Sequence, residues 1–158
     1  MEPLLQTLEA WPVAAALRRS EVLYLLVNAA HILGIGLLIG AIATLDLRVL
    51  GVFHHAPLSA LGPPLVRVAA AGLGLALATG SLLFSVRPAD YAANPAFLTK
   101  LGLVLAGLLN VLALHLNPGW GRALTGEGIG MTVRLAATLS LLVWVSALLA
   151  GRWIAFLE

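Results

Sequence analysis

The sequence predicts an all-α integral membrane bundle of four transmembrane helices, preceded by a short N-terminal interfacial helix. Three observations predict it. Hydrophobic residues make up 61% of the 158 and charged residues only 10%, where soluble domains hold about 45–50% and about 25%. The mean hydropathy is +1.01. Four apolar runs each reach the roughly 20 residues that carry a helix across the hydrocarbon core. Helices satisfy all their backbone groups internally, which favours them over strands in lipid.

The elements follow in chain order, as one transmembrane domain over residues 1–158. Residues 3–18 read as an interfacial helix, with Leu4, Leu5, Leu8, Trp11 and Ala15 near one face and Pro12 bending or restarting it. The segment is not expected to act as a signal peptide, because its acids Glu2 and Glu9 come first and its basic pair Arg18-Arg19 comes last. The first span covers about 21–50, with Ser20 as N-cap and Glu21 in the first turn. The second covers about 64–86 and opens at Pro63-Pro64. The third covers about 95–116, between Asn94-Pro95 and Asn117-Pro118-Gly119, and the fourth about 131–156. Short linkers rich in Gly, Pro and Asn make neighbouring spans antiparallel. Gly36 and Gly40 form a small-xxx-small pair for close helix packing.

Four spans leave both termini on one side, termed N; the other is termed X. Arg18, Arg19, Arg87, Lys100 and Arg152 fall on side N, and Arg48, Arg67, Arg122 and Arg134 on side X. That balance is nearly even, and Arg18-Arg19 beside the first span directs the termini to the cytoplasm. Eight arginines against one lysine, with Ala and Leu dominant, suit a bacterial genome rich in G and C, and the expected location is the bacterial inner membrane. A net charge of +2 with scattered basic residues offers no patch for nucleic acid. The absence of cysteine excludes disulfides, iron–sulfur clusters, thiolate metal sites and cysteine catalysis. Ser81 and Ser85 have no histidine or carboxylate that spacing places nearby, so the chain is not expected to be an enzyme on its own.

The polar residues inside the spans need explaining. At 100° per residue, Glu21, Tyr24, Asn28, His31, Ile35, Ile42 and Asp46 share one sector of the first span. Such a stripe is expected to face the bundle interior. Arg48 lies off the stripe. Asp46 and Arg48 together are expected to mark the X-side boundary, with Asp46 paired to Arg67 or Arg134. Lys100, Arg67, Arg134 and Arg152 sit near span ends and are expected to snorkel to head groups. Asn28 and Asn110 are expected to hydrogen-bond neighbouring helices. His31 is the strongest functional candidate, because ionisable residues inside a span are rare there without a role; a neutral histidine bonded to Tyr24 or a neighbouring helix is the plainer reading.

Two spans with one inward histidine each suggest a b-type haem held by His31 and His115, with Gly34 and Asn28 lining the ring. Helical rise sets the two histidines about 14 Å apart in depth, which weighs against one shared iron. A second grouping gathers His115, His54, His55 and Asp46 near side X as ligands for copper or zinc.

Residues 31–51, HILGIGLLIGAIATLDLRVLG, and 82–115, LLFSVRPADYAANPAFLTKLGLVLAGLLNVLALH, carry an HxxG, DLRxLG and NPxFxxK pattern. In this the chain resembles an uncharacterised family of small bacterial four-span membrane proteins. It is loosely similar, in its helix-borne histidines, to copper-resistance proteins of the D type and to small membrane b cytochromes. The resemblance implies no activity; it directs attention to His31, Asp46, Arg48, Lys100 and His115. Three functions are expected to compete. One is a haem b electron-transfer subunit linked to quinone. Another is a structural or accessory subunit, as a homo-oligomer or within a larger membrane complex. The third is a copper-handling or small-solute permease.

Overall fold

A computed structural model of the chain describes residues 2–52 and 54–156. Every regular element among them is helical: α1 (Glu2–Glu9), α2 (Pro12–Arg19), α3 (Glu21–Leu50), α4 (Leu58–Phe84), α5 (Pro88–Ala93), α6 (Pro95–Leu116), α7 (Pro118–Thr125) and α8 (Met131–Trp153), followed by a 3₁₀ turn at Ile154–Phe156. Helices α3, α4, α6 and α8 are long and apolar enough to cross a membrane. The protein is a multi-pass membrane protein whose exposed leucines and valines meet lipid.

Pro12 restarts the N-terminal helix instead of bending it. It stands at the first position of α2, where its fixed φ suits the helix and its missing N–H costs nothing. Ala14 and Leu17 of α2 are buried, while Trp11 is exposed. The Leu4 and Leu5 side chains lie outside the described residues. Arg18 ties α2 to the far end of α4 by donating to the Val86 carbonyl at 3.2 Å.

The spans start where the capping residues dictate. Ser20 Oγ accepts from Leu23 N at 3.2 Å at the head of α3. Asn94 Oδ1 accepts from Ala96 N at 2.9 Å and Phe97 N at 3.3 Å at the head of α6. Removing this cap in Asn94→Ala is expected to cost about 1 kcal/mol, read as a lower thermal midpoint in detergent. Helix α4 is the exception. It begins at Leu58, ahead of Pro63-Pro64, and carries both prolines inside it. Two backbone hydrogen bonds are lost there. Packing compensates: Leu58 is buried and Gly62 lies against the Leu124 side chain of α7, where a Cβ would stand 2.8 Å from its Cδ2.

The bundle is two helix pairs. In the first, α3 and α4 cross with their backbones in contact. A Cβ on Gly72 would stand 2.6 Å from Leu38 N, and one on Gly34 would stand 2.7 Å from Ala76 N. The expected pair Gly36 and Gly40 has nothing within 4 Å at either position. Gly36 is two residues, or about 200° of helical rotation, from the contact at Gly34, so it points away from α4. In the second pair, Gly107 of α6 lies flat against the Trp144 indole of α8. The pairs join where α3 packs on α8, and α4 and α6 scarcely meet.

Helices α5 and α7 occupy stretches expected to be linkers, although each begins with proline at its first helical position. On side X, Trp120 and Ala123 of α7 are buried with Val49, Leu58, Val133 and Ala137, so α7 caps that end. On side N, Phe84 and Phe97 stack at 5.5 Å and Tyr91 joins them.

Candidate functional site: an intramembrane cavity

The buried residues of α8, Val133, Ala137, Ser140, Trp144 and Ala147, recur every three or four residues. That spacing makes one continuous face toward α3 and α6. Ile42, Asp46 and Val49 of α3 recur likewise and meet it. Beside this seam is a cavity of about 150 Å³, bounded by all four spans and by Trp120 of α7. Its walls are apolar, with Leu38, Leu73 and Leu108 among them. Four polar groups interrupt them: Asp46, Asn110, Ser140 and Trp144, with His115 at the X edge.

Two of these groups are unsatisfied. Asp46 is 5% exposed and Trp144 is 3% exposed. Ser140 donates its hydroxyl to the Asp46 carboxyl. The second carboxyl oxygen, Oδ2, and the indole Nε1 have no hydrogen-bond partner. A buried donor or acceptor left unpaired costs about 1–3 kcal/mol. Trp144 is one helical turn from Ser140, so the two residues share the inward face of α8. By helical rise Ser140 and Trp144 lie about 14 and 20 Å into α8, near the middle of that helix.

This placement corrects the expected pairing of Asp46 with an arginine. Its carboxyl is buried against α8, and among the described residues it pairs with neither Arg67 nor Arg134. Arg48 turns the other way, and its Nε donates to the Ala56 carbonyl of the α3–α4 loop. Asn110 bonds a neighbouring helix as expected, Nδ2 to the Ala136 carbonyl at 3.0 Å.

The remaining expected residues lie elsewhere. His31 packs on α4, where Nδ1 bonds Ala76 O at 3.0 Å and Thr79 Oγ1 at 3.1 Å. It is 15 residues before Asp46 on α3, about 22 Å by helical rise. His115 borders the Asp46 cavity, is exposed, and bonds its own helix at Val111 O. The structure therefore does not bring the two histidines to one iron. Gly34 opens no space for a ring, because the α4 backbone fills it. His54 and His55 are exposed in the loop, with rings 3.8 Å apart. Among the described residues no three of His, Asp and Glu converge as a metal site. The stripe faces inward from His31 to Asp46, but Glu21, Tyr24 and Asn28 are exposed. Gly80 of α4 lies against His31 and only one further turn of α4 remains beyond it, so the start of α3 outruns its partner.

A family sequence profile matches residues 20–157. The chain belongs to DUF6644, a family of unknown function. No curated protein and no solved structure matches it. The DUF6644 match spans α3 to α8, and so includes every residue of the cavity. It brings no support for the looser likeness to copper-resistance proteins or b cytochromes.

Ser140 and Trp144 are the cavity residues that sequence reasoning missed in this DUF6644 chain. A signal was present. Tryptophan in a span favours the membrane–water interface, yet Trp144 stands mid-span, four residues from a serine and flanked at helical spacing by alanines.

Proposed function

We propose that this protein binds a small lipophilic ring molecule bearing a hydroxyl, of the quinol class, in the cavity between its helix pairs. The observation that carries this is an apolar cavity lined by Asp46 and Trp144, each of which holds a buried polar atom without a hydrogen-bond partner, Oδ2 and Nε1. The carboxyl oxygen calls for a donor and the indole for an acceptor; a ring hydroxyl is both. An apolar cavity of about 150 Å³ accepts a benzene-sized ring. Few polar atoms in a mostly apolar lining is the usual composition of a small-molecule site. Because α4 and α6 scarcely meet, the cavity has no helix contact closing that side, and a ligand dissolved in lipid reaches it laterally. The quinone link expected from sequence is kept in this reading. The haem link is not, since its two ligands stand apart.

The test is equilibrium dialysis of the protein in detergent against tetramethylhydroquinone under argon and against its dimethyl ether. The hydroxylated ring is expected to bind at one per chain and at least about tenfold tighter than the ether, the worth of one good hydrogen bond to a charged group. Equal binding of the two, or none, defeats the reading.

A further inference from the structure

His115 of α6 lines the X edge of the cavity. Two contacts hold its ring. Nδ1 lies 2.8 Å from the Val111 carbonyl, one turn back on the same helix. A carbonyl only accepts, so Nδ1 carries the proton and donates it. The Trp120 indole of α7, buried and also part of the cavity wall, packs on the imidazole at 5.8 Å between centroids. In the neutral ring Nε2 keeps a lone pair, and among the described residues it has no hydrogen-bond partner. His31 and Lys100 stand apart from the cavity, toward side N. His31 spends Nδ1 on α4, and the Lys100 chain runs along Gly151 of α8, where a Cβ would stand 3.3 Å from its Cδ.

Helical rise sets the depth of His115 against the buried carboxyl. Gly107 of α6 lies on the Trp144 indole of α8, which makes those two positions level. His115 is two turns past Gly107, about 12 Å toward side X. Ser140, which bonds Asp46, is one turn from Trp144, about 6 Å toward side X. His115 therefore stands about 6 Å beyond the Asp46–Ser140 pair. Its ring leans back toward Val111, which also lines the cavity. A single hydroxyl bound at Asp46 leaves Nε2 unanswered. Hydroxyls on adjacent ring carbons lie too close together to answer both groups, whereas hydroxyls at opposite ends of one ring answer both. On the ring-binding reading above, we infer that His115 is a specificity-determining residue: its Nε2 accepts a hydrogen bond from the far hydroxyl of the ligand, so that the cavity selects para-diols over phenols and catechols.

The experiment is equilibrium dialysis of the full chain in detergent under argon. The probes are tetramethylhydroquinone, tetramethylcatechol, tetramethylphenol with hydrogen at the para position, and the methyl ether of that phenol. Wild type is expected to bind the para-diol about fivefold tighter than the phenol, the worth of one neutral hydrogen bond, and tighter than the catechol. His115→Phe keeps a ring against Trp120. In it the advantage of the para-diol falls to the small statistical gain of a symmetric ligand, while affinity for the phenol stays as in wild type. Equal losses of both ligands in His115→Phe would make His115 structural and overturn the inference. So would a para-diol that binds wild type no tighter than the phenol or the catechol; a phenol that still outbinds its methyl ether then leaves the ring-binding reading standing. A phenol that binds no better than its methyl ether overturns both.

Discussion

Leucine in place of Gly72 is expected to separate α3 from α4 and to cost more than about 3 kcal/mol, at the upper end of overpacking lesions. The reason is geometric. A Cβ at Gly72 meets Leu38 N at 2.6 Å and Gly34 O at 2.7 Å, which are backbone atoms with no rotamer to change. Membrane helices associate through close packing because lipid supplies no hydrophobic drive between them. The same change at Gly36 or Gly40, where nothing lies within 4 Å, is expected to shift stability by no more than about 0.5 kcal/mol. Unfolding of the three variants by sodium dodecyl sulfate in mixed micelles measures the difference. Equal losses at Gly36 and Gly72 would show that the crossing is misplaced.

Asp46→Leu is expected to raise stability by roughly 1 kcal/mol while abolishing ring binding. Burial of an unpaired carboxyl oxygen costs stability, and an apolar side chain of similar volume removes that cost. The Ser140 hydroxyl then turns to a carbonyl of its own helix one turn back, as serine does in helices. Asp46→Asn keeps the shape and is expected to weaken binding about tenfold. A gain in stability coupled to a loss of binding is the mark of a site maintained for function. Thermal midpoints and dialysis on the same preparations read both effects. A large loss of stability in Asp46→Leu, with binding intact, would make Asp46 a structural residue.

The spans were legible because composition, length and caps all act locally. Asn94-Pro95 and Asn117-Pro118 mark both ends of α6, and hydrophobic runs of span length need no tertiary information. What was not legible depends on rotation between helices. The glycine at the crossing cannot be told from its neighbours by spacing alone, since Gly34, Gly36 and Gly40 are equally small and equally apolar. His31 and Asp46 share a face of α3, yet one meets α4 and the other meets α8, because the stripe runs the length of a helix whose partners change along it. The separation of His31 from His115 was legible, since helical rise alone sets them about 14 Å apart in depth. The N-terminal start of α4 ahead of two prolines was hidden for a further reason. Contact with α7, a helix too short to announce itself by hydropathy, holds it in place.

The buried Trp144 indole N–H, which has no partner in the structure, is expected to donate to the oxygen of a ring ligand in the adjoining cavity. The most direct measurement is the ¹H–¹⁵N resonance of the four indoles, with Trp144 assigned through Trp144→Phe, during titration with tetramethylhydroquinone. The Trp144 resonance is expected to move downfield to saturation while the exposed Trp11 and Trp153 stay in place, and Asp46→Leu is expected to remove the shift. A Trp144 resonance that does not move at saturating ligand, or four indoles that move together, would contradict the claim.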